Sequence, residues 1–304
     1  MEYKVLLCPL VSSDLKRSMR CVNSAFNQKN HYLIYGVHVV INSLDVEFID
    51  DMSSFCQKND INFTITESNG TPSKGKNSVF DIFNKTDFTH MSQLDGDDIY
   101  YPSFLRHIQR HLRKYPTTDA LATLPSDTIF PKENEWKTQL DCGLYVGCWG
   151  SNFNDYRSRL EFNRDKIIDP KTAEGNPARL VLMSKRVSTR FRYDEDQIIG
   201  EDYKLHFDLL RSHQNDDISY WFTSASDLWV RDTTSFGVQK KRSNFMIDGE
   251  YVITKDDVSE QRLREYVLTN MDIDRTGPGQ IPIDYPPLYL EWRDKIEFLN
   301  SIVI

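Results

Sequence analysis

The chain has 304 residues, 39% of them hydrophobic, with 17 Phe and 15 Tyr, which is enough apolar material for a full core and excludes a disordered or fibrous protein. A net charge of −8 argues against broad binding to nucleic acid or an anionic membrane, but leaves room for a small anionic ligand met by local cations or a metal. The five cysteines (Cys8, Cys21, Cys56, Cys142, Cys148) form no CxxC pair and predict reduced thiols rather than disulfides or a zinc site. With no export signal before the first strand and no apolar run near ~18 residues, the expectation is a cytoplasmic protein without a membrane span.

In chain order, Lys4–Cys8 reads as a strand buried on both faces. Ser12, Ser13 or Asp14 then caps a helix carrying Leu15, Met19, Val22 and Phe26. Tyr32–Ile41 reads as a second strand ending in Asn42-Ser43, and Asp45 caps a helix with Val46, Ile49, Met52 and Cys56 on one face. Ile61–Thr66 gives a third strand, Ser68–Pro72 a turn, and Val79, Phe80 and Phe83 a short helix. The strand Phe88–Leu94 follows, and Pro102 is placed to open a helix with Phe104, Leu105, Ile108 and Leu112 inward. That helix's outer face, with Arg106, Arg110, Arg113 and Lys114, reads as a solvated surface or as a phosphate contact.

The segment from about 125 to 175 is irregular and is read as a binding loop, with Trp149 stacking on a sugar or anchoring a core. Ala178–Ser184 resumes a strand. A helix carrying Tyr203, Phe207 and Leu210 follows Gly200-Glu-Asp202, and Tyr220–Val230 reads as one strand-like segment. Helices are expected over 259–269 and near 288–299. Alternating strands and helices predict an α/β domain with a mostly parallel sheet and right-handed crossovers, over residues 1–236. Residues 1–98 and 99–236 form its two halves, with a helical appendage over 237–304 that covers a site, forms an oligomer or docks on a partner.

The densest chemistry lies in Leu94-Asp-Gly-Asp-Asp-Ile-Tyr-Tyr-Pro102. Asp95, Asp97 and Asp98 at the end of an apolar strand repel one another, and such a cluster is costly unless a cation sits among them. Hard oxygen ligands favour Mg²⁺ or Mn²⁺, ions that in turn hold phosphates. In open α/β sheets ligands bind beyond the carboxyl ends of the strands, near a switch in strand order. Pro9, Leu10, Val11, Asn42 and the aspartates all fall there.

With those elements in order, the chain resembles the GT-A fold glycosyltransferases, of the family 2 type, over about residues 3 to 235, which implies a nucleotide-binding half over 1–98 and an acceptor-binding half over 99–236. Asp95-Gly-Asp-Asp98 is similar to the family's DxD motif, and Gly75-Lys-Asn77 to its Ala-Arg-Asn element with Lys76 in the arginine place. Val39–Ser43 resembles the second-strand end that faces the base. Arg179–Arg186, Phe191-Arg-Tyr-Asp-Glu195 and Gly200-Glu-Asp-Tyr203 resemble the acceptor-side pattern.

The resemblance implies metal-dependent, inverting transfer of a sugar from a nucleoside-diphosphate sugar, UDP by default, to a hydroxyl of a carbohydrate or other acceptor. It makes Asp97 the metal ligand, Asp95 a ribose or second metal contact, and Gly96 the point of close phosphate approach. Asp98 orients its neighbours or caps the next helix. Lys76 steadies the diphosphate, and Asn42 meets the base or serves as a turn residue. Asp202 is the general base, with Glu201 binding or positioning the acceptor; helix capping explains the same pair without catalysis. Family members often carry a His near the last strand, where this chain has Arg231 and Asp232. Two other classes fit less well. A sugar-phosphate nucleotidyltransferase would carry a Gly-rich loop where Cys8-Pro-Leu-Val-Ser-Ser13 stands, and an inactive binding module would not need both acidic motifs.

Overall fold

A computed structural model describes residues 2–123, 125–130, 135–140, 179–195, 201–223, 228–232, 246–247, 250–251 and 297–302. Strand β1 (Lys4–Val11) runs three residues beyond its expected end and is buried over nearly its whole length. Helix α1 (Leu15–Phe26) follows, capped by Asp14, whose carboxylate accepts from Arg17 N. The expected second strand is two, β2 (Ile34–Val37) and β3 (Val39–Ile41), interrupted at His38. Both pair with β1 in parallel, and His38 N still donates to Leu7 O, so the break is local. Asp45 caps α2 (Val46–Lys58) as expected, accepting from Glu47 N and Phe48 N.

After β4 (Phe63–Ile65), Thr71 caps α3 (Pro72–Asn84). This helix starts earlier than Val79 because Pro72 occupies its first turn, where a missing N–H costs nothing. The segment Gly75-Lys-Asn77 is therefore helical. Then come β5 (His90–Asp95), β6 (Ile99–Tyr100) and α4 (Phe104–Lys114). The remaining strands to 184 are β7 (Ala120–Thr123), β8 (Pro125–Phe130), β9 (Glu135–Leu140) and β10 (Arg179–Ser184). Helices α5 (Lys185–Arg190) and α6 (Glu201–Gln214) precede β11 (Tyr220–Thr223) and β12 (Trp229–Asp232). The expected single strand over 220–230 is thus divided between two sheets.

The main sheet runs β11-β7-β10-β5-β1-β3-β4, with β2 also on β1. Every pairing in it is parallel except those of β10, which is antiparallel to β5 and β7. This is the mostly parallel, helix-flanked α/β architecture expected of the GT-A fold. One face packs Leu6, Cys8 and Leu10 against Val79, Phe80 and Phe83 of α3. The other packs Val5 and Leu7 against Cys21 and Ala25 of α1 and Phe104, Leu105, Ile108 and Leu112 of α4. Cys8, Cys21 and Cys56 are buried free thiols.

A second sheet, β6-β12-β8-β9, lies beside the carboxyl end of β5, and it carries Asp232 toward the aspartates. In the region expected to be a helical appendage, a short strand pair forms, β13 (Met246–Ile247) with β14 (Glu250–Tyr251). Residues 297–302 are helical. Leu299 packs on Ile99, Tyr101 and Val230, so the chain's end is tied to the smaller sheet. The helix expected over 259–269 lies outside the described residues. Among the described residues no helix is long and apolar enough to cross a membrane.

Candidate functional site

The site is built where β1, β3 and β5 end together. The register sets Leu10 beside Asp95 and Val40 beside Leu10, while Asn42 N donates to Val11 O at 2.8 Å. Pro9, Leu10 and Val11 are buried in this edge. Gly96 has a reason inside the protein itself: a Cβ there would come within 2.9 Å of Leu10 O and Val11 Cα. The expectation that Gly96 serves phosphate approach omits this closer constraint. Asn42 is buried as well, accepting from Thr66 Oγ1 at 3.2 Å. A Cβ on Gly75 would lie 2.7 Å from Asn42 Nδ2, so α3 and the end of β3 touch here.

The cation required among the aspartates is, at least in part, a side chain. Arg179, first residue of β10, donates through Nη2 to Asp95 Oδ2 and to Asp98 Oδ2, the latter at 2.9 Å. Its guanidinium stacks over Trp229, 4.4 Å from the ring centroid. Burial alone would raise Asp95, but Arg179, Lys76 and Arg231 reverse this and hold it at about 2. Asp98 takes the opposite course. Burial, opposed by Arg179 and reinforced by Asp97 and Asp95, pushes it up to about 8, although Asp232 N also donates to it at 3.1 Å. Asp98 is thus a buried tie between the two sheets.

At Arg231 and Asp232, where the resemblance would place a histidine, the structure has ion pairing. Asp232 is buried and accepts from Arg17 Nε at 3.2 Å and from Arg20 Nη2, while Arg231 helps depress Asp95.

Lys76, expected to steady a diphosphate, lines the same cleft as Asp95 and is paired there with the second acidic motif. It is buried, and its Nζ donates to Glu201 Oε1 at 2.7 Å and Asp202 Oδ1 at 2.8 Å, 5.1 Å from the centroid of the Tyr193 ring. Burial disfavours its charge, but Asp202, Glu201 and Asp95 together raise it well above the ordinary lysine value. Glu201 is raised by burial, an effect Lys76 opposes and Asp202 strengthens. Next to Lys76, Asn77 donates to Tyr193 O and Glu195 Oε1 and accepts from Tyr193 N, pinning the 193–195 segment to α3. One helical turn therefore meets the end of β3, the acidic pair and Tyr193.

Glu201 and Asp202 occupy the first turn of α6, where capping alone would also favour them. Their position adds more than a cap requires. A small cleft is lined by Lys76, Gln93, Asp95, Arg179, Tyr193 and Asp202, so the two acidic motifs, about a hundred residues apart, face one space. Trp149 lies outside the described residues.

For a divalent ion, the oxygens of Asp95 and Asp97 are the suitable donors. Mg²⁺ is characteristically held by one or two carboxylates, with water and substrate phosphates completing its shell. Asp98 is unsuited, being committed to Arg179 and to the Asp232 amide. Among the described residues no group of three His, Cys, Asp or Glu side chains could hold a metal ion by itself. The residues fit an ion completed by substrate.

Sequence reasoning missed Arg179, Gln93 and Tyr193 as cleft residues. The available signals were a charged residue opening the apolar run Leu180–Met183, and a glutamine interrupting the apolar end of β5.

No protein-family model matches the sequence. No curated protein matches it either. Among solved structures, the chain is similar to S. aureus TarS 1–349 in complex with UDP, at 14% identity and a TM-score of 0.51, covering 90% of this chain and 68% of that one. It is similar to the same protein in complex with UDP-GlcNAc at 13% identity and a TM-score of 0.50, covering 100% and 82%. The chain spans only 44% of the longer S. aureus TarS structure. At such identities the likeness is one of fold.

Proposed function

We propose that this chain is a glycosyltransferase that moves a sugar from a nucleoside-diphosphate sugar to an acceptor hydroxyl with inversion. One observation carries the reading: Asp95, at the end of the strand that leads into the DxD motif, and Asp202, of the Glu-Asp motif, line one cleft beyond the carboxyl ends of parallel strands. The fold shared with TarS, crystallised with UDP and UDP-GlcNAc, supports a nucleotide sugar as donor.

In this reading the nucleotide lies over Pro9–Val11 and Asn42, and the diphosphate lies toward Asp95 and Gly96. Asp202 takes the proton of the acceptor hydroxyl. That oxygen bonds to the anomeric carbon, the bond from that carbon to the diphosphate oxygen breaks, and the diphosphate leaves with the electron pair. Inversion follows because attack and departure are on opposite faces. Lys76 holds Asp202 and Glu201 in place, leaving Glu201 to orient the acceptor. Arg179 and Arg231 add positive charge where the leaving group gathers negative charge. A Mg²⁺ or Mn²⁺ held by Asp97 and Asp95 would supply further charge to the departing diphosphate.

The test is product release from a panel of UDP- and GDP-sugars, with Mn²⁺ and with chelator, followed by transfer to candidate acceptors. Turnover that needs the divalent ion and inverts the anomeric centre is expected. Nucleotide binding without turnover across the panel would favour an inactive module.

A further inference from the structure

Gln93 lies on β5 two residues before Asp95, opposite Cys8 of β1. Strand alternation turns Met91, Gln93 and Asp95 to one face. On that face Met91 packs into the cluster of Leu6, Cys8, Phe80 and Phe83, whereas Asp95 reaches Arg179. Gln93 stands between the apolar core and the charged rim. It is only 6% exposed, it lines the cleft, and its Oε1 has no hydrogen-bond partner. A buried carboxamide oxygen without a donor is disfavoured, and a methionine at this position would extend the core without that cost. The unmet acceptor points to a ligand group that arrives in the cleft.

We propose that Gln93 is a specificity-determining residue that reads the transferred sugar, its carboxamide bonding a hydroxyl or acylamino N–H of the pyranose. The inference rests on the glycosyl-transfer reading and deepens it. With the diphosphate toward Asp95 and the attacking hydroxyl at Asp202, an in-line displacement sets the sugar ring between them, over Gln93. The nucleotide lies outside its reach, beyond the ends of β1 and β3.

The experiment compares UDP and UDP-GlcNAc binding by calorimetry in wild type and Gln93→Met, with the melting temperature of each free protein. Wild type is expected to bind UDP-GlcNAc more tightly than UDP. In Gln93→Met, UDP affinity is unchanged and UDP-GlcNAc affinity falls about two- to tenfold, as for one lost neutral hydrogen bond. The free variant melts at or above the wild-type temperature. If Gln93→Met does not fold, Gln93→Asn, which draws the amide back, takes its place with the same expected loss. Unchanged UDP-GlcNAc affinity, equal loss for UDP and UDP-GlcNAc, or no wild-type preference for the sugar nucleotide would each overturn the role of Gln93. Wild type binding neither compound, nor any other UDP- or GDP-sugar of the panel, would instead overturn the glycosyl-transfer reading, and the inference with it.

Discussion

Two acidic pairs bracket the cleft, each spanned by one cation, and they resolve the same charge problem differently. At one end Arg179 spans Asp95 and Asp98; at the other Lys76 spans Glu201 and Asp202. The guanidinium is planar, always charged and stacked on Trp229, and it keeps Asp95 ionised with help from Lys76 and Arg231. The lysine is a point charge divided between two acids, and Glu201 still rises above its ordinary range. Under the proposed reaction, cations stand where a leaving group would gather negative charge, and a carboxylate paired with one lysine stands where a proton would be accepted.

The largest break in this comparison is expected at Asp202. Asp202→Asn keeps an oxygen for Lys76 but removes the proton acceptor. Transfer should fall by about 10²- to 10⁴-fold with the melting curve unchanged. Near-normal turnover in a folded variant would remove Asp202 from the role of base.

Arg179→Met comes next. It leaves Asp95 and Asp98 without their shared cation and should cost about 1–3 kcal/mol in denaturant unfolding, since Asp98 is buried while Asp95 is partly open to solvent. Adding Asp95→Asn should restore much of that loss, because Asp95, held ionised in the fold, is the charge left stranded. Equal stability of the single and double variants would mean that Arg179 matters for packing on Trp229 rather than for charge.

The smallest effect sharpens the contrast through pH. Asp95 is depressed in the fold from 3.8 to about 2, so its stabilisation is present above pH 3.8 and lost as pH falls toward 2. Glu201 is raised above the ordinary glutamate value of 4.5, so its contribution is present below pH 4.5 and declines as pH rises through the folded value. Unfolding free energies across pH should therefore lose their acid-side drop in Asp95→Asn and their upward-pH decline in Glu201→Gln. The Asp95 effect is expected below ~1 kcal/mol because its side chain is partly open to solvent. The same slope change in both variants would mean that the two pairs are not distinct.

Much of the fold was legible because its signals are local. The apolar run from Lys4, a cap among Ser12, Ser13 and Asp14, the cap at Asp45, and the strand–helix alternation each follow from a few neighbouring residues. The split at His38 and the division of 220–230 between two sheets were not legible, since strand pairing depends on partners far along the chain. The acidic motifs could be read from the sequence as chemistry, but their neutralisation could not. Arg179 reads as an ordinary charged start to a strand, and only the antiparallel insertion of β10 beside β5 brings it to Asp95. Lys76 likewise reads as a phosphate ligand until α3 and α6 are set side by side.

By itself, then, the sequence determined a parallel α/β core with carboxylates at a strand end and a second acidic pair downstream. Both follow from hydrophobic period and local charge density, which short segments carry alone. Tertiary structure decided which cation answers which carboxylate, that Asp95 and Asp202 share a cleft, and that Gln93 lies unpaired between them. Those facts depend on distances of a few ångströms between residues a hundred positions apart, and only chain packing sets such distances.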